Sequence, residues 1–228
     1  MDSMSIAIAG QERIYPKADF CEECQALVDA EEQAARERQA KAARKWREEN
    51  IEELLARVGV PRRYLGASLQ NFNGKKPKLQ VGFITGPPGV GKTHLAVALL
   101  REDIVFKGRD AGRFVRTVDL LKEIRDSFQE HSAASERAIL DNYGRKVPFL
   151  VIDDLGTEKI SDWVEQTLYD LIDRRYVEML PTIITSNLSL DEIEAHYGNH
   201  GKRLASRIYD LGEVFVITGK DRRVKRAG

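Results

Sequence analysis

Val81-Gly82-Phe83-Ile84-Thr85-Gly86-Pro87-Pro88-Gly89-Val90-Gly91-Lys92-Thr93 is the stretch that decides the fold. Five residues of apolar, strand-forming character run into Gly-x-x-x-x-Gly-Lys-Thr, and His94-Leu95-Ala96-Val97-Ala98-Leu99-Leu100 follows as a helix-forming run. Strand, glycine-rich loop and helix in that order make a phosphate cradle. The glycines let successive backbone N–H groups turn inward, the helix N-terminus adds partial positive charge, and the lysine reaches the outer phosphates. Gly86, Pro87, Pro88, Gly89, Val90, Gly91, Lys92, Thr93 and His94 are therefore the expected nucleotide-binding residues, with ATP as ligand and the Thr93 hydroxyl offered to Mg2+.

Working outward, short apolar runs alternate with amphipathic stretches. Val81 to Thr85, Phe114 to Thr117, Phe149 to Ile152, Thr182 to Thr185 and Val214 to Ile217 read as five strands. That alternation predicts an α/β three-layer sandwich with a five-stranded parallel sheet covered by helices on both faces. The third run ends in Asp153-Asp154, which puts carboxylates at the tip of a buried strand. Asp153 is the expected second magnesium anchor, and Asp154 the base that polarises the water attacking the γ-phosphate. The fourth run ends in Ser186-Asn187, so the Asn187 amide is expected at the same sheet edge, orienting water or γ-phosphate.

Upstream, eleven of the twenty residues from Glu31 to Asn50 are charged and five are alanine, which predicts a helix with almost no apolar face. It is expected to continue through Ile51, Leu54, Leu55 and Val58, an i, i+3, i+4, i+7 stripe that turns an exposed helix into a docked one. Gly66, Asn71, Asn73, Gly74 and Pro77 mark an irregular linker. The expected division is a helical N-terminal extension over 1–60 and an ATPase domain over 61–228.

The 228 residues carry 36 basic and 36 acidic side chains, so any contact with nucleic acid or membrane must come from local patches. No run approaches the roughly 18 apolar residues of a membrane span. Two cysteines, Cys21 and Cys24, are too few for a secreted disulfide framework, and a cytoplasmic protein with no membrane partner is expected.

Taken together, the P-loop, Phe149-Leu150-Val151-Ile152-Asp153-Asp154-Leu155-Gly156 and Thr182-Ile183-Ile184-Thr185-Ser186-Asn187 resemble an AAA+ ATPase of the DnaC/IstB group, the bacterial and phage replicative helicase loaders and their transposition relatives. The resemblance takes in Val60-Pro61-Arg62-Arg63-Tyr64, Asn71-Phe72 and Arg203-Leu204-Ala205-Ser206-Arg207-Ile208. It implies ATP hydrolysis with Lys92, Asp154, Asn187 and Arg207 as catalytic residues. Arg207 would reach the nucleotide of a neighbouring copy and so mark a self-association surface. It further implies a replicative helicase gripped by the N-terminal extension, single-stranded DNA as a partner, and no C-terminal lid domain after the last strand. A transposase-assisting ATPase shares every motif. A small-molecule P-loop kinase explains Lys92 and Thr93 but not the paired carboxylates and Asn187. Cys21-Glu22-Glu23-Cys24 resembles half of a zinc site, yet closed structural zinc takes four ligands, so zinc within one chain is not expected. The basic tail Lys220 to Arg226 has phosphate, DNA and solvent open to it, with solvent or DNA expected rather than a catalytic role.

Overall fold

The computed structural model describes residues 3–8, 11–16, 22–77, 80–109, 111–128 and 135–222, with side chains from residue 25 onward. Cys21 and the Cys24 side chain, and with them the zinc question, lie outside the described residues. The chain divides into two compact units, Met1–Trp46 and Arg47–Gly228.

In the first unit, β1 (Ser3–Ile8) and β2 (Gln11–Pro16) pair as an antiparallel hairpin. The expectation of a purely helical extension missed it. Helix α1 (Glu22–Glu49) follows, with Arg36 and Glu32 paired at 3.3 Å on its exposed surface. Its near-continuous polar face matches the expected helix. It does not run on into the apolar stripe, because the chain breaks at Asn50, whose backbone leaves helical geometry. Asparagine favours such a break, since its amide competes for backbone partners.

The second unit begins earlier than the expected boundary at 61, and the reason lies in helix α2 (Ile51–Arg57). Ile51, Leu54, Leu55, Val58 and Val60 are all buried in one core cluster with Leu95, Val97, Leu100 and Ile104. Burying side chains of this size stabilises by roughly 1.5–3 kcal/mol each. The stripe that reads as the end of an extension is therefore part of the core of the second unit.

The sheet runs β4 (Arg113–Arg116), β5 (Leu150–Leu155), β6 (Thr182–Ser186), β3 (Val81–Thr85), β7 (Glu213–Val216), with every neighbouring pair parallel. Adjacent residues of each strand serve opposite cores, as the two-residue pleat requires. Phe114, Val151, Ile183 and Ile84 face the cluster built on α2 and α3 (Lys92–Lys107), whereas Val115, Ile152, Ile184 and Phe83 face the other. That second cluster draws on α4 (Thr117–Asp126), α5 (Glu136–Asp141), α6 (Asp162–Val177), α7 (Leu190–His196) and α8 (Gly198–Asp210). Two buried faces explain why the strands read as unbroken apolar runs. This is the expected α/β P-loop sandwich. Among the described residues no helix is long and apolar enough to cross a membrane.

Strand order also positions the chemistry. β6 lies between β3, which delivers the P-loop, and β5, which delivers the two aspartates. Whatever stands at the C-terminal tip of β6 is thus wedged between them, at the strand edge where ligands of open α/β sheets bind.

Candidate nucleotide site

A cavity of about 750 Å3 opens at that edge, lined among others by Gly89, Gly91, Lys92, Thr93, Asp153 and Asp154. The loop closes tightly against the last strand: a Cβ on Gly86 would come within 2.1 Å of the Ile217 carbonyl oxygen, and its φ of 143° suits glycine alone. Val90 turns its side chain into the core and is 1% exposed, pinning the middle of the loop.

Lys92 is buried, and its ammonium donates to Gly86 O at 2.7 Å, Pro87 O at 3.0 Å and Asn187 Oδ1 at 2.6 Å. The β6 tip is thereby joined to the P-loop through one charge. Thr93 Oγ1 donates to Asp153 Oδ1 at 2.9 Å. Asp153 is 4% exposed, and burial pushes its carboxyl up to about 6 despite the hydroxyls and the Lys92 charge that oppose the shift. An incompletely compensated carboxylate beside a hydroxyl is a hard, all-oxygen donor set, which fits magnesium.

Successive strand residues face opposite sides, so Asp153 and Asp154 should not both reach one cavity. They do because Asp154 adopts φ 58°, rare for a non-glycine residue, and the β5–β6 register shifts between Ile152 and Leu155. Thr185 holds this bulge. Its hydroxyl accepts from the Asp154 N–H at 3.0 Å and donates to Asp153 Oδ1 at 2.7 Å, fully buried. Thr185 went unnoticed in the sequence, because only the pairing of β6 with β5 makes it a neighbour of the aspartates.

The loop expected to be an irregular linker is instead a packed wall of the cavity. Phe72 is 4% exposed, and the Asn71 amide bonds Ser68 N at 2.9 Å and Gly66 O at 2.8 Å. His94 Nε2 lies 2.8 Å from Asn71 Oδ1, so its side chain ties α3 to this wall. Arg116 and Asp119, bonded at 2.6 and 3.0 Å, also line the cavity and were not foreseen. Nor was Arg222: the tail expected in solvent or on DNA brings it against the P-loop.

Arg207 is not among the residues lining the cavity of its own chain. It sits on α8, bonded to Asp173 Oδ1 of α6 at 2.6 Å with its guanidinium 4.3 Å from the Tyr176 ring centre. The hydrogen bond with Asp173 raises its pKa further. Its neighbour Arg203 is exposed.

A family model described as IstB-like ATP binding protein matches residues 20–227. The chain belongs to that family. Its IstB-like chain is 27% identical to the replicative helicase loader DnaI of Bacillus subtilis (strain 168) over 62% of its own length and 47% of the relative's. A protein of insertion sequence IS5376 from Geobacillus stearothermophilus, described as ATP-binding, is 30% identical over 61% of this chain and 54% of that one. Among solved structures, the DnaC helicase loader superposes with a TM-score of 0.57 at 30% identity, covering 69% of this chain and all of that one. The chain spans about half the length of the curated relatives it matches. Nucleotide binding by an IstB-like fold accounts for the P-loop and its partners, while the relatives divide between replicative helicase loaders and insertion-sequence proteins.

Proposed function

We propose that this chain hydrolyses ATP at interfaces between its own copies and uses the cycle to load a replicative helicase onto single-stranded DNA. The observation that carries the reading is the joined set Thr93, Asp153, Thr185, Asn187 and Lys92, set between P-loop and aspartates by β6. Thr93 and Asp153 would hold magnesium, which when bound would supply neutralisation of the phosphate charge. Lys92 would neutralise the outer phosphates, Asp154 would take a proton from the attacking water, and Asn187 would orient that water. Thr185 holds the Asp153 carboxylate and the Asp154 backbone in place. Thr185→Val is expected to lower the affinity for Mg2+-ATP about tenfold, the cost of one charge-assisted hydrogen bond; an unchanged value in a calorimetric titration would remove Thr185 from the site.

Arg207 supplies the trans component in this reading. Its planar, permanently charged fork suits a transferring phosphoryl group. Asp173 and Tyr176 hold it on the outer surface of α6 and α8, off its own cavity. Arg207→Ala is expected to leave ATP affinity within about twofold while hydrolysis by the assembled protein falls roughly 10^3-fold. Mixing in wild-type protein should restore turnover at the variant's sites; failure of that rescue would overturn the trans role.

The N-terminal unit, with its hairpin and charged helix, is the proposed grip on the helicase. The IS5376 relative favours one other reading, an ATPase that assists a transposase. Affinity capture from host lysate by the full chain tests the choice. Recovery of a hexameric replicative helicase, lost when residues 1–46 are removed, is the expected result, and recovery of a transposase would overturn the loader reading.

A further inference from the structure

After β7 the chain turns back across the P-loop and is tied once to the end of β3 and once to the loop itself. Ile217 N–H donates to Thr85 O at 2.8 Å, and Arg222 N–H donates to Gly89 O at 3.0 Å. The second tie fixes the Arg222 side chain over the phosphate loop. A Cβ on Gly91 would meet both Arg222 Nη1 and Phe72 Cε2 at 3.4 Å, so guanidinium and ring converge on the residue before Lys92. The guanidinium carbon lies 5.2 Å from the Phe72 ring centre, and Nη2 donates to Asn73 O. Phe72 cannot follow a moving partner, being 4% exposed in the core cluster. Arg222 itself is exposed, and among the described residues no carboxylate pairs with it.

A planar cation held 5.2 Å from the centre of a fixed aromatic ring can stack against a second flat π-system. Lys92, Thr93 and Asp153, the groups suited to phosphate and metal, line the same cavity, with Lys92 held by Gly86, Pro87 and Asn187 and Thr93 by Asp153. We propose that Arg222, backed by Phe72, is a clamp for the purine base of the bound nucleotide. The segment from Ile217 to Arg222 then reports on base occupancy, because its far end is held by the P-loop and its side chain by the base. Phosphate alone would not engage it. The proposal rests on reading the cavity as the ATP site.

The test compares ATP with inorganic tripolyphosphate, both with magnesium, in calorimetric titrations of the full chain. Arg222→Ala is expected to weaken ATP about tenfold, within the range of a desolvated cation–π contact, and to leave tripolyphosphate unchanged. Arg222→Lys should recover little, since an ammonium has no plane to stack. Equal losses for both ligands would make Arg222 a phosphate ligand and overturn the clamp, as would no loss for either. A wild-type chain that bound neither would sink the nucleotide reading together with the clamp, whereas a wild type that binds both isolates the clamp. The side chain is exposed, so the variant's melting curve should match the wild type's.

Discussion

Lys92→Ala is expected to lower ATP affinity by about two orders of magnitude, roughly 3 kcal/mol, the upper range for a hydrogen bond to a charged group. The ammonium is buried and already held at 2.6–3.0 Å by two loop carbonyls and Asn187, so little ordering remains to be done when phosphate arrives. Truncation removes that charge and also releases the tip of β6 from the P-loop. A direct readout is thermal stabilisation: saturating ATP at a hundred times its dissociation constant adds about 2.7 kcal/mol to a binding protein. At the same ATP concentration that gain should shrink to about 0.4 kcal/mol in Lys92→Ala. A variant stabilised by ATP as strongly as the wild type would remove the P-loop from the binding site.

The second large effect concerns folding. Arg175 is fully buried in α6 and donates to Thr182 Oγ1 at 2.6 Å, Tyr143 O at 2.5 Å, Val147 O at 3.0 Å and Pro181 O at 2.8 Å. Burial pulls its guanidinium down to about 9, which still leaves it cationic at neutral pH. These bonds staple the π-helical turn Asn142–Lys146 and the start of β6 to one helix. Pro181 O also accepts from Leu150 N, but Tyr143 O and Val147 O would lose the partner they have here. Arg175→Met, which keeps most of the stem volume, is expected to cost about 3–5 kcal/mol, since buried carbonyls left unmatched are expensive. Against a total of about 5–15 kcal/mol, this moves the urea midpoint far down or prevents folding. A midpoint within experimental error of the wild type would show that the turn satisfies its carbonyls another way.

The contrast between these two residues marks what a linear reading can reach. Lys92 is visible because phosphate binding demands a lysine at a fixed offset from glycines, and the offset is local. Arg175 looks like any charged helix residue, because its four acceptors come from segments up to 32 positions away. Thr185 and Arg222 were illegible for the same reason: one needs β6 beside β5, the other needs β7 to return the chain over Gly89. The hairpin at Ser3–Pro16 was missed for a local reason: Met4, Ile6 and Ile8 alternate with Ser3, Ser5 and Ala7, but Gln11 to Pro16 shows no such alternation and Ala9-Gly10 is not one of the strong hairpin-turn dipeptides.

By itself the sequence determined the P-loop, the five strands and the paired aspartates, because each depends on residue type within a few neighbours. Only the tertiary structure decided which helices the buried 51–60 stripe packs against, that Asp153 and Asp154 share one cavity, and that Arg207 stays off it. Those outcomes depend on strand order, on one residue at φ 58° and on which helix lies beside which. They are properties of contacts between distant segments, and no spacing along the chain encodes them.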